Sequence, residues 1–365
     1  MALVVGSTGI VGAALVDILP SPDTPAGPWK VYALSRCPLL PWSTAAPSPA
    51  AAHLHLDLSN PAAVADAIAP LTDITHVFYL AWSPRPDTDE ARAANCDMLC
   101  NVLTAVVPNC PALIHVYLRT DRKHFIDPFE PLGGIPATMR PYSEDLPCLQ
   151  FPDLEDVLLD GIASRGGDVT WSVHRPTTIF GFSPRSAWNV VASLYVYAAI
   201  CRKEGVLLRW PGSLVGWEGL RDASDAELVM DHALWAALEP ADKNEPFNCT
   251  NGGVYTWKLL WPTLANHFRG NQWVGYVGED QRFNIEEAMD GKEVVWAEIV
   301  RENGLVETRL DDITTWRFVD AVFDVDKVQL DTMYKSKEHG FLGFRNMVRS
   351  FDTWIGKMKT NKIVP

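Results

Sequence analysis

Positive charge is scarce in this chain. It has 31 Lys and Arg against 45 Asp and Glu over 365 residues, a net charge of −14. So acidic a surface repels phosphate backbones and anionic lipid, which argues against nucleic-acid and membrane-surface partners and leaves any phosphate binding to local basic groups. Paired cysteines are missing as well. The seven, at Cys37, Cys96, Cys100, Cys110, Cys148, Cys201 and Cys249, form no Cys-x-x-Cys, and their odd number argues against a disulfide framework, so they are read as reduced thiols. No apolar run reaches the roughly 18 residues that span a bilayer. Met1 leads directly into an apolar strand with no room for a signal sequence, so the expected compartment is the cytosol. No grouping of His, Asp, Glu and Cys has metal-ligand spacing. Asn248-Cys249-Thr250 fits a glycosylation sequon, read as a chance match in a chain that is not secreted.

What is abundant is apolar and aromatic. Hydrophobic residues make up 47%, with 14 Trp, as in a compact enzyme. Short apolar runs alternate with helical patterns: strands at Ala2–Val5, Val31–Leu34, His53–Leu56, His76–Ala81, Leu113–Leu118 and Thr170–His174, and helices at Ile10–Leu19, Ala62–Ala69, Asp97–Val107 and Glu155–Ala163. A turn at Pro108–Pro111 is expected to end the helix Asp97–Val107. This alternation predicts an α/β fold, a Rossmann doubly wound parallel sheet. Beyond Ala187 the pattern changes, with helices at Val190–Cys201 and Ala226–Leu238, while Trp210–Trp217 and Asn248–Thr256 read as loops and short strands. Residues 1–185 are taken mainly as the dinucleotide-binding domain, and 186–365 as a smaller substrate-binding region interleaved with late Rossmann elements.

Gly6-Ser7-Thr8-Gly9-Ile10-Val11-Gly12 is a Gly-x-x-Gly-x-x-Gly between a strand and a helix. The first glycine permits the tight turn, the second lets backbone approach a pyrophosphate, and the third allows helix to pack closely on strand, with the helix N-terminus facing the negative charge. Arg36 stands just after the second strand, where an acidic residue would bind the ribose hydroxyls of NAD; a cation there suits the 2′-phosphate of NADP(H). Asp57, ending the third strand, is placed either to contact the adenine or to cap the next turn. The Tyr-x-x-x-Lys pair by which ordinary short-chain reductases protonate a carbonyl oxygen is absent: no lysine has a tyrosine four residues before it.

Long blocks carry a more specific signal. Thr75–Tyr79, Trp171-Ser172-Val173-His174-Arg175-Pro176, Ile179–Pro184, Tyr195–Cys201, Lys335–Arg345 and Ile363-Val364-Pro365 strongly resemble the progesterone 5β-reductase/iridoid synthase family of plant short-chain reductases, over almost the whole chain. The resemblance implies an extended short-chain dehydrogenase/reductase fold. It also implies NADPH-dependent reduction of an activated C=C bond, with hydride delivered to the β-carbon of an enone or enal and the developing enolate oxygen stabilised. The family does this with a lysine and a tyrosine. The lysine falls on Lys123, within Thr120-Asp121-Arg122-Lys123-His124-Phe125, either as the catalytic cation or as the residue orienting the nicotinamide ribose. The tyrosine has no counterpart in the shortened Leu149–Asp156 segment. The resemblance adds Leu58, Ala81, Trp82, Thr120, Lys123, Pro176 and Thr178 to the cofactor-binding set of Gly6, Thr8, Gly9, Ile10, Gly12, Arg36 and Asp57, and assigns Trp82, Phe129 and Phe318 to the wall of a pocket for a small apolar carbonyl substrate. A homodimer is compatible with it.

Three further departures bear on the chemistry. Asp121 occupies a glycine position, Cys37 that of a second arginine, and Thr178 that of an asparagine. A carboxylate at 121 would repel the cofactor, pair with Arg122 or Lys123, or act as a new base. Tyr142, the nearest tyrosine after Lys123, is read as a surface-turn residue or else as a substitute acid. His174 is read as structural. Trp188, Trp210 and Trp217 are possible extensions of the pocket. The leading reading is an enone or enal 1,4-reductase. The alternative is a non-redox relative, a cyclase, isomerase or ligand-binding protein; an alcohol dehydrogenase is disfavoured because no proton donor is positioned for it.

Overall fold

A computed structural model describes residues 1–38, 51–85, 88–125, 141–146, 152–239, 243–268 and 272–365. Phe129 and Leu149–Phe151 lie outside the described residues, as does the side chain of Lys123.

Seven strands form one parallel sheet: β1 (Ala2–Val5), β2 (Val31–Ser35), β3 (Ala51–His55), β4 (His76–Tyr79), β5 (His115–Arg119), β6 (Thr170–Pro176) and a last strand, Glu245–Cys249, in the spatial order last-β6-β5-β4-β1-β2-β3. The predicted doubly wound Rossmann sheet is what the chain forms. Successive side chains of one strand enter different cores: Ala2 and Val4 pack with Ile10, Val31 and Phe78, whereas Leu3 and Val5 pack with Leu34, Val77 and Tyr79. Burial on both faces is why these strands read as continuous apolar runs, each buried Val or Leu contributing about 1.5–3 kcal/mol. Helices α1 (Ile10–Ile18), α2 (Pro61–Ile68), α3 (Thr88–Asn109) and α4 (Pro152–Ile162) cover the sheet, followed by α5 (Val190–Glu204), α6 (Leu214–Glu218) and α7 (Ala226–Leu238). No helix among the described residues is long and apolar enough to cross a membrane.

Several expectations are corrected. Helix α3 starts nine residues before the predicted Asp97 and runs through Pro108 to Asn109. Its first half is polar and lacks an apolar stripe; it is held instead by Asn95, which accepts from Ser83 N (2.8 Å) and donates to Ala91 O (2.6 Å). Trp210 and Trp217 do not extend the substrate pocket. Trp217 lies on α6, capped by Ser213, whose hydroxyl accepts from Gly216 N at 2.9 Å, and both indoles are buried with Trp257, Trp261 and Phe323, Trp210 standing 4.1 Å from Phe323. Tyr142 is not a surface residue but fully buried, stacked on Phe125 with centroids 5.3 Å apart. Asn248 of the sequon is buried too, its amide donating to Tyr142 O at 3.1 Å, so a folded chain cannot be glycosylated there. His174 lies within β6, its Nδ1 2.7 Å from that of His232.

His174 belongs to a set of buried neutral histidines. His115 is held by Thr170 and Ser172 (2.9 and 3.0 Å), and burial pushes His76 down to about 4 and His115 and His232 to about 3. Because these values lie below the 6.5 of the unfolded chain, their contribution is complete above pH 6.5 and is lost as the pH falls toward 4, the unfolded chain taking up protons that the fold refuses. Each adds about 1.4 kcal/mol per pH unit to the slope. Urea unfolding should therefore show a lower midpoint at about pH 5.5 than at about pH 7.5; an unchanged or higher midpoint would contradict the neutral histidine core.

Candidate active site

Strand β1 lies between β2 and β4, so the chain's crossovers leave it in opposite directions and open a crevice beyond the carboxyl ends of these strands. Gly6, Thr8, Gly9, Ile10, Gly12, Arg36, Leu58, Ala81 and Trp82, all nominated by sequence, line this one cleft, joined by Ser35, Cys37, Arg119, Arg185 and Trp188.

The glycine turn has little freedom. Gly6 adopts φ +88°, in the left-handed region, and a Cβ there would come within 2.7 Å of Ala81 N. On Gly12 a Cβ would sit 2.2 Å from Gly6 O. On Gly9 it would meet only Gly6 O within 4 Å and otherwise project into open space. Helix α1, with Gly9 at its N-cap, has no side-chain cap and no acidic residue in its first turn, which leaves its first amides and positive dipole end to an anion. These features fit a dinucleotide pyrophosphate. The loop after β6 braces the turn through the Ser183 hydroxyl, which donates to Thr8 O. Arg36 is exposed at the end of β2. Asp57 is absent from the lining; its carboxylate accepts from Ser59 N at 3.0 Å, the turn-capping role, and that bond together with Arg36 and Arg85 holds its pKa low.

A second cavity, the chamber, adjoins the cleft and shares Arg119, Ile179 and Trp188 with it. Pro176, Thr178 and Phe318 line the chamber rather than the cleft, and Phe318 meets Trp188 edge to face at 5.0 Å. Trp82 lines the cleft and a small recess with Thr120, Asp121 and His124, not the chamber. The backbone of Lys123 lies in the 3₁₀ turn Arg122–His124.

The chamber is more charged than an apolar substrate pocket. Arg119, Arg122 and Arg221 line it with Asp121 and Asp222. Arg122 does not pair with Asp121 as one reading allowed: it is bound by Asp222 and, through Nε, by Asp331 at 3.0 Å. Burial and Asp222 push the Asp331 carboxyl up, against the pull of Arg122. The Arg221 guanidinium donates to Val322 O. Asp121 instead acts on Arg119, opposing the downward effect of burial on that guanidinium. Nearby, Glu155 is pushed up by burial, but His124 and Arg175, the latter at 2.7 Å, hold its pKa below the usual value.

Trp188, named from the sequence as a possible extension of the pocket, lines both cavities, whereas sequence reading missed Arg119 and Arg185 in the cleft. Arg185 adopts φ +60° and pairs with Asp312 at 3.5 Å. Its signal was its position directly after the Ile179–Pro184 block; Arg119 likewise directly precedes the Thr120–Phe125 block.

A doubly wound sheet with a glycine-lined crevice at its switch point defines a dinucleotide-binding Rossmann protein. More particularly, residues 2–365 match the PRISE-like Rossmann-fold domain, and the chain belongs to that family. It is 47% identical to an (S)-8-oxocitronellyl enol synthase of Nepeta cataria and 46% identical to a 3-oxo-Delta(4,5)-steroid 5-beta-reductase of Arabidopsis thaliana, in each case over 100% of this chain and 93% of the relative. Among solved structures, a putative epimerase from Burkholderia cenocepacia J2315 is similar in fold (TM-score 0.62, 17% identity, 98% of both chains), as is the Bordetella bronchiseptica enzyme WbmH in complex with NAD+ (TM-score 0.59, 13% identity, 98% of both chains).

Gly12→Ala tests the turn on its own. The clash with Gly6 O should cost about 1–3 kcal/mol of stability and lower the thermal midpoint followed by circular dichroism; an unchanged midpoint would mean that the close approach is not as described.

Proposed function

We propose that the protein catalyses NADPH-dependent 1,4-reduction of an activated C=C bond in a small apolar carbonyl compound of the terpenoid or steroid class. The observation that carries this reading is the shared wall of cleft and chamber: Arg119, Ile179 and Trp188 line both, so a nicotinamide at the end of the cleft and a substrate in the chamber would be neighbours. The enol synthase and steroid 5-beta-reductase named among the relatives support the substrate class.

When bound, the cofactor supplies a hydride to the β-carbon. The chain's own residues do the rest. The uncapped start of α1 and the glycine turn hold the pyrophosphate, and Arg36 holds the 2′-phosphate. Phe318, Trp188 and Ile179 exclude water from the apolar part of the substrate, and cationic donors stabilise the negative charge that develops on its oxygen. Conjugate hydride transfer demands that stabilisation more than an immediate proton, so the missing tyrosine need not abolish the reaction. By the family resemblance Lys123 would be one such donor, or would orient the nicotinamide ribose.

A second reading, a non-redox cyclase, isomerase or ligand-binding relative, is favoured by one observation: the Asp121 carboxylate lines the chamber beside Arg119. NADPH oxidation against small enones, an unsaturated terpene dialdehyde and an enone steroid separates the two. Turnover favours the reductase, and tight cofactor binding without turnover favours the alternative.

Two variants test the assignments. Arg36→Ala should weaken NADPH binding measured by calorimetry while leaving NADH binding nearly unchanged; equal effects on both would remove Arg36 from the 2′-phosphate. Lys123→Ala should lower kcat/KM on the order of 10²-fold or more, and retained activity would remove Lys123 from the mechanism.

A further inference from the structure

Among the described residues, Arg119 alone lines the cleft, the chamber and the recess between Trp82 and Glu155. It ends β5, an interior strand between β6 and β4, so a rigid element delivers its guanidinium to the point where cofactor and substrate would meet. Its Nε is buried without a hydrogen-bond partner. A buried cationic donor left without an acceptor is costly unless a ligand supplies one. The other two chamber guanidiniums are engaged elsewhere, Arg122 by Asp222 and Asp331 and Arg221 by Val322 O. No tyrosine occurs among the described residues lining the three cavities.

We propose that Arg119 is the residue that hydrogen-bonds the carbonyl oxygen of the substrate and carries the enolate charge, taking over the task of the absent tyrosine. The inference rests on the reductase reading and extends it. Hydride adds to the β-carbon, the C=C electron pair shifts to form the C=C–O⁻ enolate, and the guanidinium, still protonated, donates N–H bonds to that oxygen. The enolate α-carbon later takes its proton from water. An always-charged guanidinium suits this task because it stabilises an oxyanion without giving up its proton, whereas a tyrosine can do both. Asp121, whose charge opposes the effect of burial on that guanidinium, offsets its charge when the chamber is empty.

The test uses Arg119→Met and, to preserve charge balance, the double variant Arg119→Met/Asp121→Asn. For an enone that the wild type reduces, kcat should fall on the order of 10²–10³-fold in both, with NADPH affinity by fluorescence titration changed far less. A readout independent of turnover is the ionisation of a bound nitrophenol, an enolate mimic, followed by its absorbance. The wild type should lower the phenol's pKa by about one unit or more, and both variants should lose this effect. Unchanged kcat and unchanged phenol ionisation would overturn the role of Arg119 and leave the reductase standing. If the wild type reduces no enone yet ionises the phenol in an Arg119-dependent way, the oxyanion site stands and the reductase reading fails.

Discussion

The approach of α1 to the turn after β1, so close that a Cβ on Gly12 would lie 2.2 Å from Gly6 O, is the constraint on which the functional part of this molecule depends. It sets the direction in which α1 leaves the sheet and points the uncapped helix start at the crevice. It also lets the loop after β6 reach over, where the Ser183 hydroxyl meets Thr8 O and Asn189 bonds both backbone groups of Ser183, at 3.2 and 2.6 Å. That loop carries Arg185 and Trp188 into the cleft. The anion-binding turn and one side of the chamber are thus parts of one packed unit.

The chamber follows from a different balance. A pocket for an apolar carbonyl compound would be expected to be apolar, yet three guanidiniums border this one. Two of them are structural: Arg122 joins Asp222 to Asp331 across long stretches of chain, and Arg221 fastens the segment at Val322. Their charges are spent on holding the chamber together, with Asp331 N bound to Asp222 at 2.6 Å as part of the same knot. Phe318, Trp188 and Ile179 give the chamber an apolar wall, and Arg119 stands with Trp188 and Ile179 where it meets the cleft. Apolar and charged side chains thus line the same cavity, which suits an α,β-unsaturated carbonyl better than a pure hydrocarbon.

How far the amino-acid sequence reveals this depends on whether a residue's role is local. Gly6, Gly9 and Gly12 are readable because a backbone requirement is written directly in residue type and spacing, and the strands because two-sided burial demands unbroken apolar runs. The start of α3 is not readable, since it is held by Asn95 bonding to Ser83 rather than by an apolar face. Tyr142 and Trp217 look like loop residues in one dimension and are buried by partners far away in the chain. Arg119 escapes notice because it is the last residue of an ordinary strand; only the convergence of β5 with the Ile179–Trp188 segment gives it three cavities to face. Lys123 rests on the resemblance alone.

The most direct measurement of the central claim is the fate of hydrogen from the cofactor. Incubation with NADPH deuterated at the transferring carbon of the nicotinamide, in the presence of an enone that supports oxidation, followed by NMR of the product, should place deuterium on the former β-carbon and leave the carbonyl intact. Deuterium on the carbonyl carbon, or product formed with none at all, would contradict conjugate reduction as the activity of this site.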